Sequence, residues 1–150
     1  LISRNCGIMQ GALKLAQARL SVATLDQLGA AALYGVDPGY FNATRDEYRR
    51  RRDTCYRKLL EIPGIVTTEP QGAFYTMAKL PVDSAERFQL YLLQEFEDNG
   101  DTVMFAPGEP FYGTPGKGKN EIRIAYVLKQ ADLERAMDLL AKGIAAYNAR

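Results

Sequence analysis

The residues Asn120-Glu-Ile-Arg-Ile-Ala-Tyr-Val127 place an arginine inside a strand-forming run. Read with a period of two, Ile122, Ile124 and Tyr126 share one face, and Glu121, Arg123, Ala125 and Val127 share the other. Arg123 thus lies among small apolar neighbours, where a guanidinium is costly unless an anion meets its fork of donors. Two anions fit. One is Glu121, two residues away on the same face. The other is the carboxylate of a bound molecule. The strand alone leaves both open.

Other chemistry is bounded by composition. The 150 residues contain no histidine, which removes histidine bases and triads from this chain and disfavours a zinc site. Cys6 and Cys55 are far apart and form no CxxC pattern. With no export signal legible, two free thiols point to a reducing cytoplasm. The net charge of +1 gives no reason to expect nucleic acid, and no apolar run reaches the roughly 18 residues of a membrane span. Asn42-Ala-Thr44 matches a glycosylation sequon and is read as chance. Gly113-Thr-Pro-Gly-Lys-Gly-Lys-Asn120 has phosphate-loop spacing, but Asn120 stands where Ser or Thr would meet magnesium and a strand follows instead of a helix. A flexible basic loop is the simpler reading. Arg49-Arg-Arg-Arg52 is a helix face offset by acids, with Asp46 and Arg50, Glu47 and Arg51, and Asp53 and Arg57 at i,i+4 spacing.

The elements that position these residues follow from caps and periodicity. Asn5 caps a helix to about Leu20. Thr24 with Gln27 forms a capping box for a short helix through Leu33. The turn cluster Gly35-Val-Asp-Pro-Gly39 is the best internal boundary, dividing 1–35 from 36–150. A long helix from Tyr40 to Glu61 carries Tyr48, Cys55, Leu59 and Ile62 in one stripe. Strands are expected over 65–68, 73–77 and 102–105, with Ala106 to Pro110 leaving the sheet, and then the arginine strand. Asp83 with Glu86 opens a helix to Glu97, and a last helix spans Ala131 to Tyr147. The order strand, strand, helix, strand, strand, helix predicts an α+β sandwich: a mixed or antiparallel sheet with helices on one face, preceded by helices that need another partner.

Taken together and in order, Arg51-Arg52-Asp53, Pro70-Gln-Gly-Ala-Phe-Tyr75, Val103-x-x-Ala-Pro-Gly108, Ile122-Arg-Ile-Ala-Tyr126 and Asp132-Leu-Glu-Arg-Ala136 resemble the C-terminal part of a class I (fold-type I) aminotransferase, and the resemblance covers essentially the whole chain. It implies pyridoxal 5′-phosphate as cofactor, amino-acid and 2-oxo-acid substrates, and a homodimer in the cytoplasm. It implies that residues 1–35 close a large cofactor-binding domain and that 36–150 form the small domain. It makes Arg123 the receptor of the substrate α-carboxylate. Arg19, in Gln17-Ala-Arg-Leu-Ser21, is similar in position to the arginine that aspartate-specific members use for the distal carboxylate, although Leu20-Ser-Val-Ala-Thr24 departs from their proline-rich run. An ordinary helix-end cation is the alternative. The family's Ser-x-x-Lys run, with its cofactor-bearing lysine, has no counterpart among the seven lysines. The resemblance therefore implies a piece of an enzyme that is inactive alone, with aspartate the favoured substrate. The rival readings are an effector-sensing domain of a transcription regulator and a plain α+β binding module. The second of these expects Arg123 bonded to Glu121.

Overall fold

In the computed structural model, which describes residues 3–18 and 23–150, Asn5 caps the first helix by accepting the Ile8 amide at 3.2 Å. That helix, α1, spans Cys6–Gln17, and α2 spans Thr24–Ala31. The expected capping box at Thr24 does not form. Thr24 is already the first helical residue, and Ala23 holds the cap position without a side-chain bond. A cap needs extended backbone, which a helical Thr24 lacks. Neither α1 nor α2 buries a residue. The chain divides into two units, Leu1–Phe41 and Asn42–Arg150.

The long helix α3 covers Pro38–Leu60. A proline at its start supplies a φ suited to the helix and lacks only an amide that would go unpaired there. Cys55 and Leu59 are buried, Ile62 follows them into the core, and Tyr48 packs at its margin. The charged face is paired differently from the simple i,i+4 scheme. Glu47 takes both Arg50 and Arg51, while Asp53 meets Arg52 and Arg57 reaches Glu61 and Glu134. The two guanidiniums, Arg51 first, hold the Glu47 carboxyl below its usual range. Such exposed pairs keep the face solvated and add little stability.

After α3 come β1 (Val66–Thr67), β2 (Tyr75–Lys79), α4 (Ala85–Gln94), β3 (Ala106–Pro107), β4 (Glu121–Ala125) and α5 (Gln130–Asn148). The sheet order is β1-β2-β4-β3, and every neighbouring pair is antiparallel. The register sets Met77 opposite Arg123, Thr76 opposite Ile124 and Ala78 opposite Ile122. Directly opposed residues share a face. One face is therefore Thr76, Ala78, Ile122 and Ile124, all buried under Leu59, Phe88, Leu92, Leu133, Met137 and Leu140 of the three helices. The other carries Tyr75, Met77, Lys79, Glu121, Arg123 and Ala125 and stays open. This is the α+β arrangement expected, with helices on one side.

Two local expectations shift. The predicted strand over 102–105 makes no ladder. Thr102 donates its hydroxyl to the Leu92 carbonyl at 2.7 Å, Phe105 stacks on Phe88 at 5.8 Å, and pairing starts only at Ala106. The cap of α4 is Ser84, whose hydroxyl accepts the Arg87 amide, whereas Asp83 accepts from Tyr147 and pairs with Arg87.

Candidate functional site

Arg123 lies mid-sheet, flanked by Met77 on β2 and Ala106 on β3. Alternation in β4 sends its side chain to the open face while Ile122 and Ile124 enter the core. Its guanidinium carbon lies 4.6 Å from the ring centre of Tyr75 and 4.5 Å from that of Phe111. Aromatic faces stabilise a cation electrostatically, by about 0.5–1 kcal/mol at exposed sites. Unlike a carboxylate, they do not compete for its fork of N–H donors. The two rings thus steady the side chain and leave its hydrogen-bonding edge for another group.

Tyr75 reaches the site from β2, two residues from Met77 on the same face. Its approach is set by the Gly72–Ala73 turn. Ala73 adopts φ 57°, a conformation uncommon for a residue with a Cβ. The buried Tyr126 hydroxyl donates to the Ala73 carbonyl at 3.0 Å and pins that turn. Burial pushes the Tyr126 phenol above its ordinary range. Phe111 ends a 3₁₀ turn, Glu109–Phe111, entered through Gly108. The Gly108 amide donates to the Glu121 carbonyl at 2.7 Å, and a Cβ on Gly108 would stand 2.8 Å from that carbonyl oxygen. Only glycine admits this approach.

Glu121 is not the partner of Arg123. Its carboxylate accepts a hydrogen bond from the Tyr112 hydroxyl, and its amide donates to the Gly118 carbonyl at 2.9 Å. That bond to the carboxylate, with a smaller part from burial, raises the Tyr112 phenol above its usual value. Among the described residues no carboxylate pairs with Arg123, so the arrangement expected of the plain binding module is absent. Beside the arginine opens a cavity of about 240 Å³, lined by Met104, Phe105, Ala106, Leu128 and core residues of α5. Among the described residues Arg123 is the one cation in that lining, and no lysine contributes to it. Apart from Arg123 and Tyr75 the lining residues are apolar.

The phosphate-loop lookalike is put to other uses. Gly116 and Gly118 take positive φ, Asn120 donates its side-chain amide to the Leu80 carbonyl at 3.1 Å, and β4 follows directly. The Ala85 amide at the N-terminus of α4 is spent on the Lys119 carbonyl at 2.8 Å, and a strand instead of a helix continues the loop, so the phosphate reading lacks its loop-to-helix donor set. Arg19 lies outside the described residues. Sequence reasoning missed Tyr75, Phe111 and Tyr112 as neighbours of Arg123 and Glu121. Tyr75 was accessible only through the β2–β4 register, and the two loop residues had no periodic signal.

Known proteins agree on one kinship. The family described as aminotransferase class I and II matches residues 1–140. An aspartate aminotransferase of Streptomyces avermitilis is 36% identical over 110 residues, covering 65% of this chain and 24% of that protein. An alanine aminotransferase structure from Pyrococcus furiosus superposes with a TM-score of 0.66 at 32% identity, over 89% of this chain and 33% of that one. A structure of an α-aminoadipate aminotransferase from Thermus thermophilus, complexed with N-(5′-phosphopyridoxyl)-L-leucine, gives 0.67 at 23% identity, over 97% and 37%, a likeness of fold. The chain spans about a quarter of the length of the curated relative.

Proposed function

We propose, from the premise that this chain belongs to the class I and II aminotransferases, that it is the carboxylate-receiving part of an enzyme moving an amino group between an amino acid and a 2-oxo acid. One observation supports the reading above others: Arg123 is held against Tyr75 and Phe111 and has no acidic partner among the described residues. A guanidinium so presented takes a carboxylate through two parallel charge-assisted bonds, which fixes orientation as well as adding affinity. Orientation is the protein's share of this chemistry, because the geometry of the bond to be broken follows from how the substrate is held.

The family's cofactor is pyridoxal 5′-phosphate, which supplies an electron sink when bound. The residues around Arg123 do not fit it. It needs an amine for its aldehyde and several donors for its phosphate, and among the described residues the cavity lining offers no amine and only the side chains of Arg123 and Tyr75 as donors. Lys58 is engaged with Glu61 and Asp138, and Lys142 with Asp98. We therefore assign the cofactor to residues other than these, and this chain alone to the inactive state.

Aspartate with 2-oxoglutarate is the first substrate pair, in a cytoplasmic homodimer where Arg19 meets the distal carboxylate. The named relatives include aspartate, alanine and α-aminoadipate enzymes, so substrate choice rests on Arg19 and not on kinship. The test is kinetic and uses the complete enzyme. Arg123→Lys keeps the charge but loses the fork, and kcat/KM falls about 100-fold for every amino acid tried. An unchanged value removes Arg123 from substrate binding. Arg19→Ala lowers kcat/KM for aspartate at least about tenfold more than for alanine, a difference of about 1.4 kcal/mol. Equal losses remove Arg19 from substrate choice.

A further inference from the structure

We infer that Tyr112 keeps Arg123 open to its anion by holding the Glu121 carboxylate away from it. The inference rests on the reading of Arg123 as a carboxylate receptor, and it assigns a role to a residue outside that reading. Glu121 and Arg123 stand two residues apart on one face of β4, about 6.6 Å along the strand. Both side chains are long enough to close that gap, and a guanidinium meets a carboxylate in two parallel bonds. Left to itself, Glu121 is the nearest intramolecular competitor for the fork. The observed arrangement differs: Glu121 accepts from the Tyr112 hydroxyl, and its main chain is fixed at both ends by Gly108 and Gly118.

Tyr112 is itself set in place by the glycine-rich loop. Gly118 is buried, has φ 73°, and a Cβ added to it would overlap the Tyr112 ring. The loop that mimics a phosphate cradle thus serves to lay a tyrosine across Gly118 and present its hydroxyl to Glu121. Lys79, directly opposite Glu121 across β2 and β4, is the other cation on this face. It makes no ion pair with Glu121, so Tyr112 is the restraint that the geometry displays.

The consequence is a matter of populations. If release lets Glu121 occupy Arg123 about nine-tenths of the time, the apparent affinity for an external carboxylate falls about tenfold. Three variants of the complete enzyme test this: Tyr112→Phe, Glu121→Gln, and the two combined. In the crystal structure of Tyr112→Phe, the Glu121 carboxylate is expected within about 4 Å of Arg123. KM for the carboxylate substrate rises about tenfold with kcat within about twofold, and adding Glu121→Gln returns KM to within about twofold of the parent. Rescue by the second substitution separates this restraint from mere loop damage, which Glu121→Gln does not repair. A Glu121 that stays in place or turns to Lys79, or a raised KM without rescue, overturns the inference. If Glu121 moves onto Arg123 and KM does not change, the restraint stands and the carboxylate reading of Arg123 is what fails.

Discussion

At the scale of single residues, the difference between a structural and a functional arginine lies in what already occupies its donors. Arg51 and Arg52 carry the same guanidinium as Arg123, yet their charges are met by Glu47 and by Asp53 with Glu69. Among the described residues Arg123 meets the rings of Tyr75 and Phe111 and no carboxylate. Its neighbour Tyr126 shows how a buried polar group serves the same site from the core side. Its one hydroxyl hydrogen holds a strained turn whose next residues are Phe74 and Tyr75, with rings 4.5 Å apart. Tyr126→Phe leaves the Ala73 carbonyl without that donor. The expected loss is about 1–2 kcal/mol in chemical denaturation, with the slope against denaturant unchanged. Cys55 contrasts with these. It is buried in the core with no polar role, and burial pushes its thiol up to about 11. A thiol must ionise to act as a nucleophile. In folded protein at pH 8, iodoacetamide therefore modifies Cys6, which is exposed, and spares Cys55 until denaturant is added. Mass spectrometry of the peptides reads the outcome, and rapid labelling of Cys55 in native buffer would contradict the packing described.

At the scale of elements, two glycines show why close approach must be judged by what is approached. A Cβ on Gly108 meets the backbone of Glu121 at 2.8 Å, and one on Gly143 meets the Leu92 methyl at 2.5 Å. The shorter contact is the milder. A leucine methyl turns aside, whereas β4 cannot move without disturbing its ladder with β2. Gly108→Ala is expected to destabilise by about 2–3 kcal/mol and to weaken substrate binding through Phe111, and Gly143→Ala by about 1 kcal/mol or less. Thermal unfolding of both variants ranks them, and the reverse order would refute the assignment of rigidity. The segment between α4 and β3 is tied to α5 by charge: Asp98 accepts from Lys142 and Arg135, and Asp101 from Arg135. Lys142 first, and then Arg135, hold the Asp98 carboxyl below its usual 3.8. A carboxyl depressed in the folded state stabilises above its unfolded pKa, and that gain is lost as pH falls through the folded value. The Tm difference between the parent and Asp98→Asn is thus full at pH 7 and closes below about pH 4. A gap independent of pH would mean that the network acts by packing and not by charge.

At the scale of the molecule, what was legible in the sequence was whatever a local rule decides. Alternation set Arg123 on the face opposite Ile122 and Ile124, and the stripe in α3 placed Cys55 and Leu59 in the core. Partner choice was not legible. Glu121 pairs with Tyr112 because of a loop path that Gly108 and Gly118 permit, and strand 102–105 gave way to side-chain packing of Phe105 that no periodicity announces. The same distinction governs stability. Among the described residues, everything in the buried core belongs to Thr54 and beyond, and α1 and α2 bury nothing while Leu13, Leu25 and Leu28 stay more than half exposed. Burying such side chains is the main source of folding free energy, and isolated helices of 12 and 8 residues are marginal without it. Residues 36–150, which keep α3 whole, are therefore expected to unfold cooperatively with a Tm within about 3 °C of the full chain. In hydrogen exchange the amides of α1 and α2 exchange first, at low local stability, while those of β2, β4 and α5 persist to global unfolding. The same chain, incubated with pyridoxal 5′-phosphate and reduced with borohydride, is expected to retain no stoichiometric adduct on any one lysine. Slow exchange in α1 and α2 would show that those helices have a packing partner, and a single modified lysine would overturn the assignment of the cofactor to other residues.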